Sequence, residues 1–193
     1  MSARRLSQAI SEGDGISVIV EVDGPEAARD AQAAGAEALV VSGGLESLGA
    51  IREATELPIL CRYDGQDSAE LEGADACVIE LREGVASIGR AGLPHDEQFE
   101  LVFRVSKDDQ LEDVFEELDP EIVVLAASAA GDETALDRVL ELLPDVPAGK
   151  LAIADIGART REEVEELERA GVDGVIVAAG NIAHLVGAAP PEV

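Results

Sequence analysis

A chain of 193 residues in which 47% are apolar is long enough for one domain and supplies a substantial core, which excludes an intrinsically disordered polymer. The formal net charge of −27, from 41 acidic against 14 basic residues, repels polyphosphates at long range; nucleic acid is therefore not an expected partner, although a local cationic pocket can still hold a small phosphate ester. Met1–Ile10 carries two arginines but no apolar signal-peptide core, and no run reaches membrane-spanning length, so the expectation is a soluble, cytoplasmic protein with no membrane partner.

Taken in chain order, a first helix is expected around Ala3–Glu12, placed to cover the bottom of whatever sheet follows. Short runs rich in Val, Ile and Leu then predict strands at Ile16–Val22, Glu37–Ser42, Leu57–Arg62, Asp75–Glu80, Glu100–Val105, Glu121–Ala126, Lys150–Asp155 and Asp173–Ala178. The runs are continuous, not alternating, as parallel strands buried on both faces require. Helix signals fall between them: Pro25 at a first helical position before Glu26–Ala34, Lys107–Leu118 before Asp119-Pro120, Thr134–Leu143 before Pro144, and Thr160–Ala170 before Gly171. Thr160 and Glu163 have the spacing of a capping box, in which hydroxyl and carboxylate each take the other's backbone amide. The stretch Arg82–Gly92 gives the weakest helical signal, Gly180–Val186 reads as a short last helix, and Ala188–Val193 as a frayed tail.

Eight strands alternating with helices imply an α/β fold, a compact (β/α)8 TIM barrel forming a single domain over 1–193 with a short N-terminal helical extension. The strands recur roughly every 22 residues, against about 250 residues in all for a typical barrel, so the loops must be short. Three similar phrases, Gly35-Ala36-Glu37-Ala38, Gly73-Ala74-Asp75-Ala76 and Gly171-Val172-Asp173-Gly174, stand at helix-to-strand junctions: glycine closes the helix in a left-handed conformation and an acidic residue leads into the strand. They read as scaffold.

Chemistry in such a barrel sits at the carboxyl ends of the strands, where ionisable residues are costly unless used. Glu21, Arg62, Arg104 and Asp155 come at matching depths on strands 1, 3, 5 and 7 and, pointing inward, make one layer of two acids facing two arginines. As a site, the arginines bind an anionic substrate and Glu21 or Asp155 handles protons. As structure, the quartet satisfies itself, and a carboxylate held ionised by an arginine is a poor proton shuttle; the structural role is favoured. Glu80, Arg82, Asp64 and Asp23 stand near enough in sequence to extend the network. Cys61 and Cys77 lie within strands and read as buried reduced thiols, without a metal site. His95 and His184 form no constellation, and Ser42, Ser106 and Ser128 have no base at a diagnostic spacing. Gly43-Gly44 and Gly180-Asn181 offer backbone amides to a phosphate, though tight turns explain both equally well. No phosphate-loop or dinucleotide fingerprint is present, and no cofactor is expected.

The segment Ile153-Ala154-Asp155-Ile156-Gly157-Ala158-Arg159-Thr160-Arg161-Glu162-Glu163-Val164 resembles the Ser-Glu-Ser-Gly-Ile-x-Thr segment and following helix of the indole-3-glycerol phosphate synthase family, and Gly171–Val177 resembles its eighth strand. Val20-Glu21-Val22-Asp23, Leu57-Pro58-Ile59-Leu60-Cys61-Arg62 and Gly73-Ala74-Asp75-Ala76 are similar to its first, third and fourth strand regions. The resemblance implies a (β/α)8 barrel, a tryptophan-pathway carboxy-lyase ancestry, and a small phosphorylated ligand. It assigns catalytic positions to Glu21, Arg62 and Asp155 and a substrate-binding position to Gly157, to which the strand-end reading adds Arg104 and Gly180 as substrate-binding positions. The family's reaction uses a lysine acid and a glutamate base. Here Asp23 replaces the lysine beside the first-strand glutamate, Arg62 the third-strand lysine, Arg104 the fifth-strand glutamate, Ala126 and Ala127 the sixth-strand asparagine pair, and Ala178 a glycine near the phosphate. Arginine stays protonated throughout and is a poor substitute for a lysine acid. The expectation is an inactive or weakly active member, the alternative a phosphate-ester-binding barrel with another reaction.

Overall fold

Eight parallel strands, each hydrogen-bonded to the next and the last to the first, close into a barrel: β1 Ser17–Val22, β2 Ala38–Val41, β3 Ile59–Tyr63, β4 Ala76–Glu80, β5 Glu100–Val105, β6 Ile122–Ala126, β7 Leu151–Asp155 and β8 Gly174–Ala178. The computed structural model describes residues 4–13, 15–41, 44–63, 68–81, 85, 99–127 and 134–185. Among the described residues the α-helices are α1 Arg5–Ser11, α2 Pro25–Ala33, α3 Leu48–Ala54, α4 Asp108–Glu117, α5 Ala135–Leu142, α6 Arg161–Ala170 and α7 Ile182–Leu185. The architecture is the expected (β/α)8 barrel, and every strand falls within two residues of its sequence-based bounds. Between β3 and β4 the described residues hold only a 3-10 turn, Ser68–Leu71, in place of an α-helix. The Arg82–Gly92 stretch, apart from Val85, lies outside the described residues, as does the tail.

Two apolar clusters explain why the strand runs are continuous. Ile19, Val40, Leu60, Val78, Val102, Val124 and Ile153 fill the barrel, while the alternate residues, such as Val20, Leu39, Cys61 and Phe103, pack outward under the helices. Each strand therefore buries both faces. Leu6 and Ile10 of α1 join the inner cluster, closing the amino-terminal end of the barrel. Helix α1 has no side-chain cap of its own; instead the Glu100 carboxylate, at the start of β5, accepts the Leu6 amide at 2.7 Å and the Ser7 amide at 3.2 Å, supplying acceptors for donors that a helix start leaves unpaired. Helix α6 carries the reciprocal Thr160–Glu163 box and ends on Gly171 at φ 97°, a conformation costly for any residue with a Cβ. Amides of Arg159 and Thr160 hold the Glu163 carboxyl below its ordinary value.

The repeated junction phrase has a definite mechanical role. Glu37 donates its amide to the Val18 carbonyl and accepts the Val18 amide on its carboxylate at 3.2 Å. Asp75 does the same with Ile59 at 2.9 Å, and Asp173 with Ala152 at 2.8 Å. In each case an acid before an even-numbered strand satisfies a backbone donor of the preceding odd one, a group that would otherwise be orphaned at the barrel rim. Asp75 carries more: Arg5 of α1 reaches it at 2.9 Å and Arg52 of α3 at 3.0 Å, so one carboxylate ties two helices to β3 and β4. Arg5 also donates to the Glu56 carbonyl and Arg52 to the Thr55 carbonyl. Burial lowers the Arg52 guanidinium pKa from its ordinary value, with Asp75 acting in the opposite sense.

Candidate functional site at the carboxyl mouth

The side-chain parity that sends Ile19, Leu60, Val102 and Ile153 into the barrel sends Glu21, Arg62, Arg104 and Asp155, two residues further along the same strands, to its carboxyl mouth. The structure brings all four together there in two pairs. Arg104 Nε donates to Asp155 Oδ2 at 3.0 Å across from β5 to β7, and its Nη1 donates to Glu80 Oε1 at 3.2 Å on adjacent β4. Glu80 and Arg104 are direct register partners, so the strand pairing itself delivers this contact. Arg62 faces Glu21 from β3 to β1, at 4.0 Å, too long for a hydrogen bond.

The two halves of the mouth differ in exposure as well as distance. Arg104 is 25% and Asp155 19% exposed, whereas Arg62 is 55% and Glu21 40% exposed. One half is tight and dry-sided, the other loose and wet. Among the described residues, the carboxylates of Glu21, Glu80 and Asp155 meet the guanidinium groups of Arg62 and Arg104.

Below the ring, Val40, Val78 and Val124 form a buried inner layer, but their counterpart on β8, Ile176, remains partly exposed. Ile176 pairs with Ile19, and Ala178 two residues above it pairs with Glu21. The alanine methyl is too short to roof the isoleucine, which leaves an apolar step on β8, between the strands of Asp155 and Glu21. Gly157 lies just beyond β7 at φ 64°, and Gly180 sits in the 3-10 turn Ala179–Asn181 after β8, a turn that packs against β1. A Cβ at either glycine would meet nothing within 4 Å, so the backbone surface is open at both.

Of the residues near the quartet in sequence, Glu80 joins it through Arg104, Asp23 is exposed beyond β1, and Asp64 and Arg82 lie outside the described residues. So do Ser42, Gly43, His95 and Ser128; His184 is within α7, but its side chain is not among those described. Ser106 is engaged by Gln110, whose Oε1 accepts the Ser106 amide at 3.0 Å and whose Nε2 donates to the Leu81 carbonyl at 2.7 Å, a scaffold role. Cys61 and Cys77 are free, fully buried register partners on β3 and β4; burial pushes both thiols up to about 12. Among the described residues no group of three or more His, Cys, Asp or Glu side chains is arranged to hold a metal ion. Nor is any described helix long and apolar enough to cross a membrane. Sequence reasoning missed Ile176, whose partial exposure follows from the small residue two positions above it.

No family model matches the chain. Among solved structures, a chain described as tryptophan synthase from M. tuberculosis in an aminoacrylate-bound form is similar with a TM-score of 0.71 at 14% identity, over 95% of this chain and 98% of that one. At that identity the likeness is one of fold: this chain has the closed (β/α)8 barrel in which the neighbour is also built.

Proposed function

We propose that the chain is a divergent barrel of the indole-3-glycerol phosphate synthase kind, with little or no lyase turnover, whose mouth has exchanged proton-transfer chemistry for a self-neutralising ring of charges. The observation that carries this reading is Arg104. It occupies a position where the resemblance calls for a glutamate, and both of its contacts are carboxylates of the same mouth, at 3.0 and 3.2 Å. A guanidinium so engaged neither donates a proton nor reaches freely for a phosphate. Glu21 keeps the first-strand carboxylate, but among the described residues the cation facing it is Arg62, a residue type poorly suited to act as a general acid. Asp155 is tied to Arg104 and holds it in place.

Turnover is tested with 1-(2-carboxyphenylamino)-1-deoxyribulose 5-phosphate, following indole fluorescence and heat together; the chain has no tryptophan to obscure the product. The expected outcome is no product. Turnover above the uncatalysed rate overturns the reading. The second reading, a phosphate-ester-binding barrel with another reaction, draws support from the open backbone at Gly157 and Gly180, and heat without product would favour it.

A further inference from the structure

We propose that the loose half of the mouth binds a small zwitterion with an apolar side chain, an apolar α-amino acid. The inference rests on the mouth as the place of ligand binding and on nothing in the ancestral lyase chemistry.

The charge balance comes first. A protein of net charge −27 opposes a dianionic ester at long range but is indifferent to a ligand of zero net charge. The available groups come next. Arg104 is committed to Asp155 and Glu80, whereas Arg62 and Glu21 stand 4.0 Å apart, mutually attracted but without a hydrogen bond. Both are well exposed, so separating them to admit a ligand forfeits little. An amino acid offers each what it lacks: a carboxylate that accepts two guanidinium hydrogen bonds from Arg62, and an ammonium that donates to Glu21. The third element is apolar. Ile176, partly exposed below Ala178 and beside the strand that carries Glu21, provides a step against which an aliphatic side chain loses its water. A guanidinium, a carboxylate and an apolar step thus stand on β3, β1 and β8 around the mouth.

Isothermal titration with L-leucine tests the proposal, with 3-methylbutylamine, 4-methylpentanoate and inorganic phosphate as probes that each lack part of the pattern. Leucine is expected to bind with a dissociation constant on the order of 1 mM, and each control at least ~10-fold more weakly. Arg62→Met and Glu21→Gln should each weaken leucine about 10-fold with an unchanged circular dichroism spectrum, since both groups are exposed. Ile176→Ala should narrow the preference for leucine over glycine. Absence of leucine binding up to about 20 mM, equal binding of the single-charge controls, tighter binding of phosphate, or leucine binding that survives Arg62→Met overturns the proposal. Leucine titration contains no phosphate ester and the turnover assay no amino acid, so the two readings fail separately.

Discussion

If the mouth has a tight half and a loose half, its two arginines must differ in what they do for the fold. Replacing Arg104 by Met removes a guanidinium that is 25% exposed and leaves Asp155, 19% exposed, without its partner. A charge-assisted hydrogen bond in that setting contributes about 1.5–3 kcal/mol. The contact to Glu80, which is 47% exposed, adds about 0.2–1 kcal/mol. The methionine retains an apolar stem over the inner layer and recovers some packing, so the net loss should be about 2–3 kcal/mol. For a chain of this length that lowers the melting temperature by roughly 4–12 °C. Arg62→Met, by contrast, removes an exposed pair without a hydrogen bond and should cost about 0–1 kcal/mol. Urea unfolding followed by far-ultraviolet circular dichroism measures both, since the chain lacks tryptophan. Equal losses from the two variants, or a neutral or stabilising Arg104→Met, would refute the division of the mouth into a structural and an available half.

Asp75→Ala should be the most damaging single charge removal, about 3–4 kcal/mol by urea denaturation, because it orphans the Ile59 amide and separates Arg5 and Arg52 from their shared partner; a loss under about 1 kcal/mol would show that the clip is dispensable. Raising NaCl from 0.1 to 1 M shortens the screening length from about 10 to about 3 Å, so the self-repulsion of a −27 chain should relax and the melting temperature rise, outweighing the weakened surface pairs; a fall would mean those pairs dominate. Native Cys61 and Cys77 should resist iodoacetamide at pH 8 and react once the chain is unfolded in urea. Their folded pKa is raised from 9.0 to about 12, so their contribution to stability is fully present below pH 9 and falls between pH 9 and 12, where only the unfolded chain releases the protons. A Cys61→Ala, Cys77→Ala double variant should show a flatter urea midpoint over that range, and an unchanged slope would contradict the burial argument.

The barrel was legible because its strands are buried on both faces: runs such as Ala38–Val41 and Ile122–Ala126 are apolar at every position, a signal that needs no knowledge of the partner strand. The quartet was legible for the converse reason, since charges inside such runs stand out. What the quartet does was harder to read. Its division into a bonded and an unbonded pair depends on whether arginines on β5 and β3 reach across to β7 and β1, which is set by barrel geometry and not by spacing along the chain. The junction acids show the same limit. Glu37, Asp75 and Asp173 recur visibly in sequence, but the amides they accept belong to residues 19, 16 and 21 positions away, so their purpose appears only once the strands are paired. The β3–β4 connection was expected to be a helix on the rhythm of the fold, but Ser68–Leu71 forms only one 3-10 turn.

Those junction acids join strands two by two: β1 with β2, β3 with β4 and β7 with β8, while before β6 the carboxylate of Glu121 turns instead to Arg4. Three of the four strand pairs are thus doubly fastened at their internal seams, and of the outer seams β4–β5 is joined by Arg104 and Glu80. New chain ends should be tolerated between β2 and β3 or between β6 and β7, where no fastening is cut, and resisted within a fastened pair. A gene assembled by repeated doubling of a two-strand unit would leave that alternation behind.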